Sequence, residues 1–187
     1  NDVTNFKRAL SEAVSSGKDI VFGPGCLTAN QTNFSACSSD IDRGLDVAKN
    51  YWNSIDMIYF DKPDLNKTGV EGFINNFNNL VRAKGLAIKP IAVNFTENQF
   101  QNKTGYQAAS IDYVGLEAYI DPSQQNDPNI VSILNGKIGQ IKNKIGNRKI
   151  FIVIQGYDRN GQWTNLDSLK SIQTPAYLSA YNDPNVA

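Results

Sequence analysis

GVEGFINNFNNLVRAKGLAIKPIAVNF, residues 69–95, changes its apolar period halfway along. In the first half Val70, Phe73, Ile74, Phe77, Leu80 and Val81 recur every three or four positions, which places them on one face of a helix. Gly85 ends that pattern, because glycine takes the left-handed conformation of a helix stop without steric cost. Beyond it LAIKPIAVNF (86–95) reads as a largely apolar strand, as in one covered on both faces. Pro90 donates no ladder hydrogen bond, so it belongs to the first half of that strand or to a bulge.

The same helix, stop and strand recur on either side. Phe6, Leu10 and Val14 mark an opening helix that Gly17 stops before DIVFGPG (19–25). A second helix, from Asp40 through GLDVAKNYW (44–52), precedes the strand IDMIYF (55–60) and the turn DKPDL (61–65). After a polar connection, TENQFQNKTGYQAAS (96–110), comes the strand IDYVGLEAYI (111–120). A helix with Ile130, Leu134, Ile138, Ile141 and Ile145 on one face leads into KIFIVIQGY (149–157), and a last helical stretch runs from about Asn165 to Tyr181.

Five apolar strands separated by helices predict an α/β fold built on a parallel sheet. Two architectures accommodate that pattern. A five-stranded doubly wound sheet suits 187 residues, whereas a (β/α)8 TIM barrel typically needs about 250. The chain opens on a helix and stops at DPNVA, where another strand is due. It is therefore expected to be a single α/β domain, residues 1–187, forming part of a larger barrel.

Composition removes several functions. Lysine plus arginine equals aspartate plus glutamate at 18 each, so no charge excess draws nucleic acid or anionic lipid. No apolar run approaches the roughly 20 residues of a membrane span. Gly23-Pro24-Gly25 lacks the spacing of a phosphate cradle, so no nucleotide cofactor is expected, and none of any other kind. The absence of histidine excludes a Ser-His-Asp hydrolase and a histidine-ligated metal within this chain. Cys26 and Cys37 are either a disulfide around a polar loop or two free thiols. Asn-x-Ser/Thr triplets at Asn30, Asn33, Asn66, Asn94 and Asn102 are glycan acceptors in a secretory setting and chance matches otherwise. Together these features lean toward an extracellular or cell-surface protein.

In parallel α/β folds the chemistry lies at the carboxyl ends of the strands. Here those ends read Gly23-Pro24-Gly25, Asp61-Lys62-Pro63-Asp64, Asn94-Phe95-Thr96-Glu97, Glu117-Ala118-Tyr119-Ile120-Asp121 and Gln155-Gly156-Tyr157-Asp158-Arg159-Asn160. Acids, amides and rings recur at one end, the combination that holds sugars: rings stack on pyranose faces, amides bind hydroxyls, and carboxyls supply acid, base or nucleophile.

IYFDKPDL (58–65) resembles the Asp-Glu-Pro strand end of TIM-barrel glycoside hydrolases, and IDYVGLEAYIDP (111–122) resembles their Asp-x-(Ile/Val)-Gly-x-(Glu/Asn)-x-Tyr strand. IFIVIQGYDRNGQWTN (150–165) is similar to the penultimate strand and YNDPNVA (181–187) to the lead into the last. The resemblance spans most of residues 55–187 and implies that the five strands are the third to seventh of a barrel. Where the family pattern has Asp-Glu-Pro, this chain has Asp61-Lys62-Pro63, so the expected acid/base position holds a lysine. The penultimate strand ends in Gln155, and an amide is no nucleophile in that role.

Asp61 and Glu117 are therefore the expected catalytic carboxyls, with Asp158 and Glu97 as further candidates. Tyr119 and Gln155 are expected to bind substrate by hydrogen bonds, Asp158 to lie beside it, and Tyr157 and Trp163 to stack on it. The function that follows is a glycoside hydrolase acting on an extracellular or surface polysaccharide. The alternative is a barrel that has lost catalysis and serves as a carbohydrate-binding or structural module. Each site residue also has a plainer reading. Glu117 can simply pair with a neighbouring cation, Asp61 can cap a turn, Asp158 can belong to an Asn-Gly turn, and the rings can pack under loops.

Overall fold

The computed structural model describes residues 2–117 and 129–153. Five α-helices and five strands are described, in the order α1 Asp2–Ser15, β1 Ile20–Phe22, α2 Phe34–Ala48, β2 Ile55–Asp61, α3 Lys67–Ala83, β3 Ile91–Phe95, α4 Glu97–Asn102, β4 Tyr113–Glu117, α5 Ile130–Ile145 and β5 Lys149–Val153. The helical stretch expected over 165–181 lies outside the described residues.

All four strand pairings are parallel, and the spatial order β1-β2-β3-β4-β5 is the sequence order. Crossovers between parallel strands are right-handed, so successive steps in one direction set every crossover on the same face. A doubly wound sheet reverses its order at a switch point, and no reversal occurs among these five strands. The described strands do not close into a barrel; β1 and β5 are the edges of the sheet.

The two faces of the sheet differ accordingly. Ile20 and Phe22, Ile58 and Phe60, Ile91, Val93 and Phe95, Val114 and Leu116, and Ile150 are all buried. Phe60 lies edge-on to Phe73 and Phe77 of α3, with ring centroids 5.7 and 5.4 Å away, and Phe22 packs on Phe6 of α1 and on Trp52. Alternate residues point the other way. On that face Val21 is 50% exposed, and Met57, Tyr59, Asp61, Tyr113, Glu117 and Phe151 are partly exposed.

The helix expected over residues 70–81 is α3, with Val70, Phe73, Ile74, Phe77 and Val81 buried and Leu80 half-buried against the core. Gly85 adopts φ 72°, the stop that its position implied. Three boundaries differ from expectation. Helix α2 begins at Phe34 rather than Asp40, because Asn33 caps it by accepting from the Ser35 N–H. Strand β3 begins only at Ile91, so Pro90 precedes it and contributes a carbonyl to Ile58 at 2.9 Å. The connection 96–110 contains α4, whose Thr96 and Gln99 form a reciprocal capping box.

Cys26 and Cys37 form a disulfide, with Cα atoms 6.4 Å apart, that ties the exit of β1 to the first turn of α2. Of the five glycan-acceptor triplets, Asn94 is 1% exposed in the central strand, closed to a glycan in the folded chain. Asn33 and Asn66 use their side chains as helix caps. No described helix is long and apolar enough to cross a membrane.

Candidate functional site

The carboxyl ends of β2, β3 and β4 meet around one cation. Asp61 ends β2 and Glu117 ends β4, on the face of the sheet away from the helices. The two strands are separated only by β3, since Asp61 aligns with Asn94 and Asn94 with Gly115. Lys62 Nζ sits between the two acids, 2.9 Å from Glu117 Oε1 and 3.4 Å from Asp61 Oδ2. These nearest oxygens therefore cannot lie farther apart than the two contacts laid end to end, which is closer than the roughly 6.5 Å at which inverting pairs begin.

The cluster is braced from the sheet side. Asp61 Oδ1 accepts from the Tyr59 hydroxyl at 2.9 Å and from Asn94 Nδ2 at 3.2 Å. The Tyr59 ring meets Phe151 edge-on with centroids 6.0 Å apart. Phe151 in turn lies over Gly115, where any Cβ would collide with its ring. The result is a half-exposed cluster of charge beside an apolar patch made by Tyr59 and Phe151.

Lys62 is held in an unusual backbone state, φ 51°, directly before Pro63. A side chain in the left-handed region costs roughly 1–2 kcal/mol, and a residue preceding proline prefers extended backbone. The Lys62 N–H donates to the Asn94 carbonyl at 2.9 Å. Gln99 Nε2 donates to the carbonyls of Lys62 at 3.0 Å and Pro63 at 3.1 Å.

Two ionisations record this environment. Burial by itself lowers the Lys62 pKa, but the hydrogen bond to Glu117 and the charges of Asp61 and Glu117 outweigh it, leaving it above the ordinary 10.5. Burial first, then the charge and hydrogen bond of Asp61, push Tyr59 well above its ordinary 10.0. Both groups keep their protons in the folded chain at pH values where the unfolded chain has begun to lose them. Their contribution to stability is thus complete below about pH 10 and is lost as pH rises above it. Urea midpoints measured from pH about 8 to about 11 are expected to fall, and to fall less steeply in Tyr59→Phe; equal slopes would contradict this placement.

Of the expected site residues, Asp61 and Glu117 are brought together, although around Lys62 and not around an open gap. Glu117 is ion-paired with Lys62 at 2.9 Å. Among the described residues Asp61 accepts from side chains and not from a turn's backbone. Glu97 stands apart on α4, paired with Lys137 at 2.8 Å. Tyr119, Gln155, Tyr157, Asp158 and Trp163 lie outside the described residues. Sequence reading missed Lys62 as the centre of the cluster, together with Tyr59, Phe151 and Gln99. The alternation of β2 already put Tyr59 on the face of Asp61, and Thr96-x-x-Gln99 already spelled a capping box.

No protein-family model matches the chain, and no curated protein matches it in sequence. Solved structures do. A crystal structure of the β-glucuronidase of Ruminococcus gnavus superimposes with a TM-score of 0.61 at 13% identity, over 82% of this chain and 27% of that one. The same enzyme in complex with D-glucaro 1,5-lactone gives a TM-score of 0.66 at 13% identity, over 95% of this chain and 33% of that one. In complex with uronic deoxynojirimycin it gives 0.59 at 12% identity, over 82% and 28%. The likeness is one of fold. The chain spans about a third or less of the length of those enzymes.

Proposed function

We propose that this chain is part of a glycosidase-like barrel that binds carbohydrate at the ends of β2, β3 and β4 and does not hydrolyse it through Asp61 and Glu117. One observation carries the reading: Lys62 Nζ occupies the space between the two carboxylates, 2.9 and 3.4 Å from them. Glycoside hydrolysis needs one carboxyl to present a proton to the leaving oxygen while the other is ionised. An ammonium within ion-pair distance of both acids engages both at once. Lys62 is no substitute donor, because its partners hold the proton on it.

The same groups suit binding. Asp61, Lys62 and Glu117 remain partly open to solvent and offer charged acceptors and a donor to sugar hydroxyls, while Tyr59 and Phe151 give an apolar edge for a ring face. Tyr119, Tyr157 and Trp163 would extend that platform, with Gln155 and Asp158 adding hydrogen bonds. The Cys26–Cys37 disulfide supports an oxidising, extracellular or surface location, and with it a surface or secreted glycan as ligand.

Charge selects the class of sugar. Asp64 is paired with Lys103 and Glu97 with Lys137, so among the described strand-end residues two acids, Asp61 and Glu117, face a single unshared cation, Lys62. A uronate would meet net negative charge, and a neutral or amino sugar would not. On an array carrying neutral, amino and uronic glycans, the chain is expected to bind the first two classes at least about tenfold more tightly than the third, the factor that 1.4 kcal/mol supplies. Retention of no glycan, or a preference for uronic ones, would overturn the reading.

A further inference from the structure

Gln99 lies on α4, yet half of its side-chain hydrogen bonds go to another loop. It is 7% exposed. Its Oε1 accepts from the Thr96 N–H at 2.9 Å, which completes the capping box of α4. Its Nε2 reaches across to the β2 exit and donates to two consecutive carbonyls, Lys62 at 3.0 Å and Pro63 at 3.1 Å. A capping box needs only the first of these contacts. The other two fall on the one residue of that turn whose backbone is in the left-handed region, Lys62 at φ 51°, and on its neighbour.

We propose that Gln99 is the positioning residue that sets the Lys62 ammonium between Asp61 and Glu117. Left to itself, a lysine before proline prefers extended backbone, and that preference opposes the turn from which Nζ reaches both carboxylates. Strain of this kind persists only where the surroundings over-determine it. The amide of Gln99, fixed at its oxygen by α4 and at its nitrogen by two carbonyls, provides that determination. Replacing it leaves both acids and the lysine in the chain while removing what aims the lysine. The importance of this for ligand rests on the proposed function, but the placement of Lys62 does not.

The test is competitive amine acylation of the whole chain at pH about 8, with the labelling of each lysine read by peptide mass spectrometry. Lys62 is expected to be protected in the wild type. In Gln99→Met its labelling should rise about tenfold, as when an amine's pKa falls by one unit, while Lys137 and Lys103 stay unchanged. Thr96→Ala weakens the helix cap without touching the two carbonyl contacts, and is expected to leave Lys62 protected. If Gln99→Met does not fold, Gln99→Glu serves, since it retains an oxygen for Thr96 and loses both donated bonds. Lys62 equally protected in the Gln99 variant, or equally released by Thr96→Ala, would overturn the proposal. No glycan enters the measurement, so the role of Gln99 is decided even in a chain that binds no carbohydrate.

Discussion

Phe60→Ala is expected to lower the unfolding free energy by about 4 kcal/mol. The ring is 1% exposed, lies on the covered face of β2, and meets Phe73 and Phe77 edge-on. Truncation loses the transfer free energy of the ring and leaves a cavity that two aromatic neighbours on a helix cannot collapse to fill. Domains are stable by only about 5–15 kcal/mol, so this one change removes a large share. Val21→Ala, on the other face and 50% exposed, is expected to cost less than about 0.5 kcal/mol. Urea denaturation of both variants measures the contrast, and comparable losses at the two positions would contradict the difference in burial between Phe60 and Val21.

The second large effect is the loss of the disulfide. Cys26 and Cys37 are 11 residues apart, and a closed loop of that length restricts the unfolded chain by about 3 kcal/mol in the chain-entropy account. In the folded chain the loop also holds Leu27, fully buried with φ 56°, and presents Asn33 as the cap of α2. The double variant Cys26→Ala, Cys37→Ala is expected to unfold at a lower urea midpoint, by a free energy near 3 kcal/mol. The reduced wild type should behave in the same way. A difference below about 1 kcal/mol would show that the loop is ordered without the bond.

Burial is periodic, and this is why so much of the scaffold was legible. Val70 to Val81 and Ile91 to Phe95 show their periods because each faces a continuous apolar neighbour. The first turn of α2 was illegible for the opposite reason: Phe34-Ser35-Ala36-Cys37-Ser38-Ser39 is nearly all small or polar, and the helix starts where Asn33 caps it. No local pattern states which strands are neighbours; the consecutive order followed only from the resemblance, which implied successive barrel strands. The site shows the same division. Asp61 and Glu117 were recognisable as strand-end acids. The Lys62–Glu117 contact spans 55 positions and depends on the register of β2, β3 and β4 together with a left-handed turn that a lysine rarely adopts.

In the proposed reading, Lys62 changes the function and not merely its strength. With the glutamate that the resembling glycoside hydrolases carry at that position, Asp61 and Glu117 would border a third acid; with lysine they border an ammonium within ion-pair distance of both. The central claim is most directly tested by reducing-end release. Wild type and Glu117→Gln are incubated with the glycans that the wild type retains on the array, and new reducing ends are counted. Neither protein should release them above the background without protein. Release by the wild type that disappears in Glu117→Gln would contradict the account and restore Glu117 as a catalytic residue.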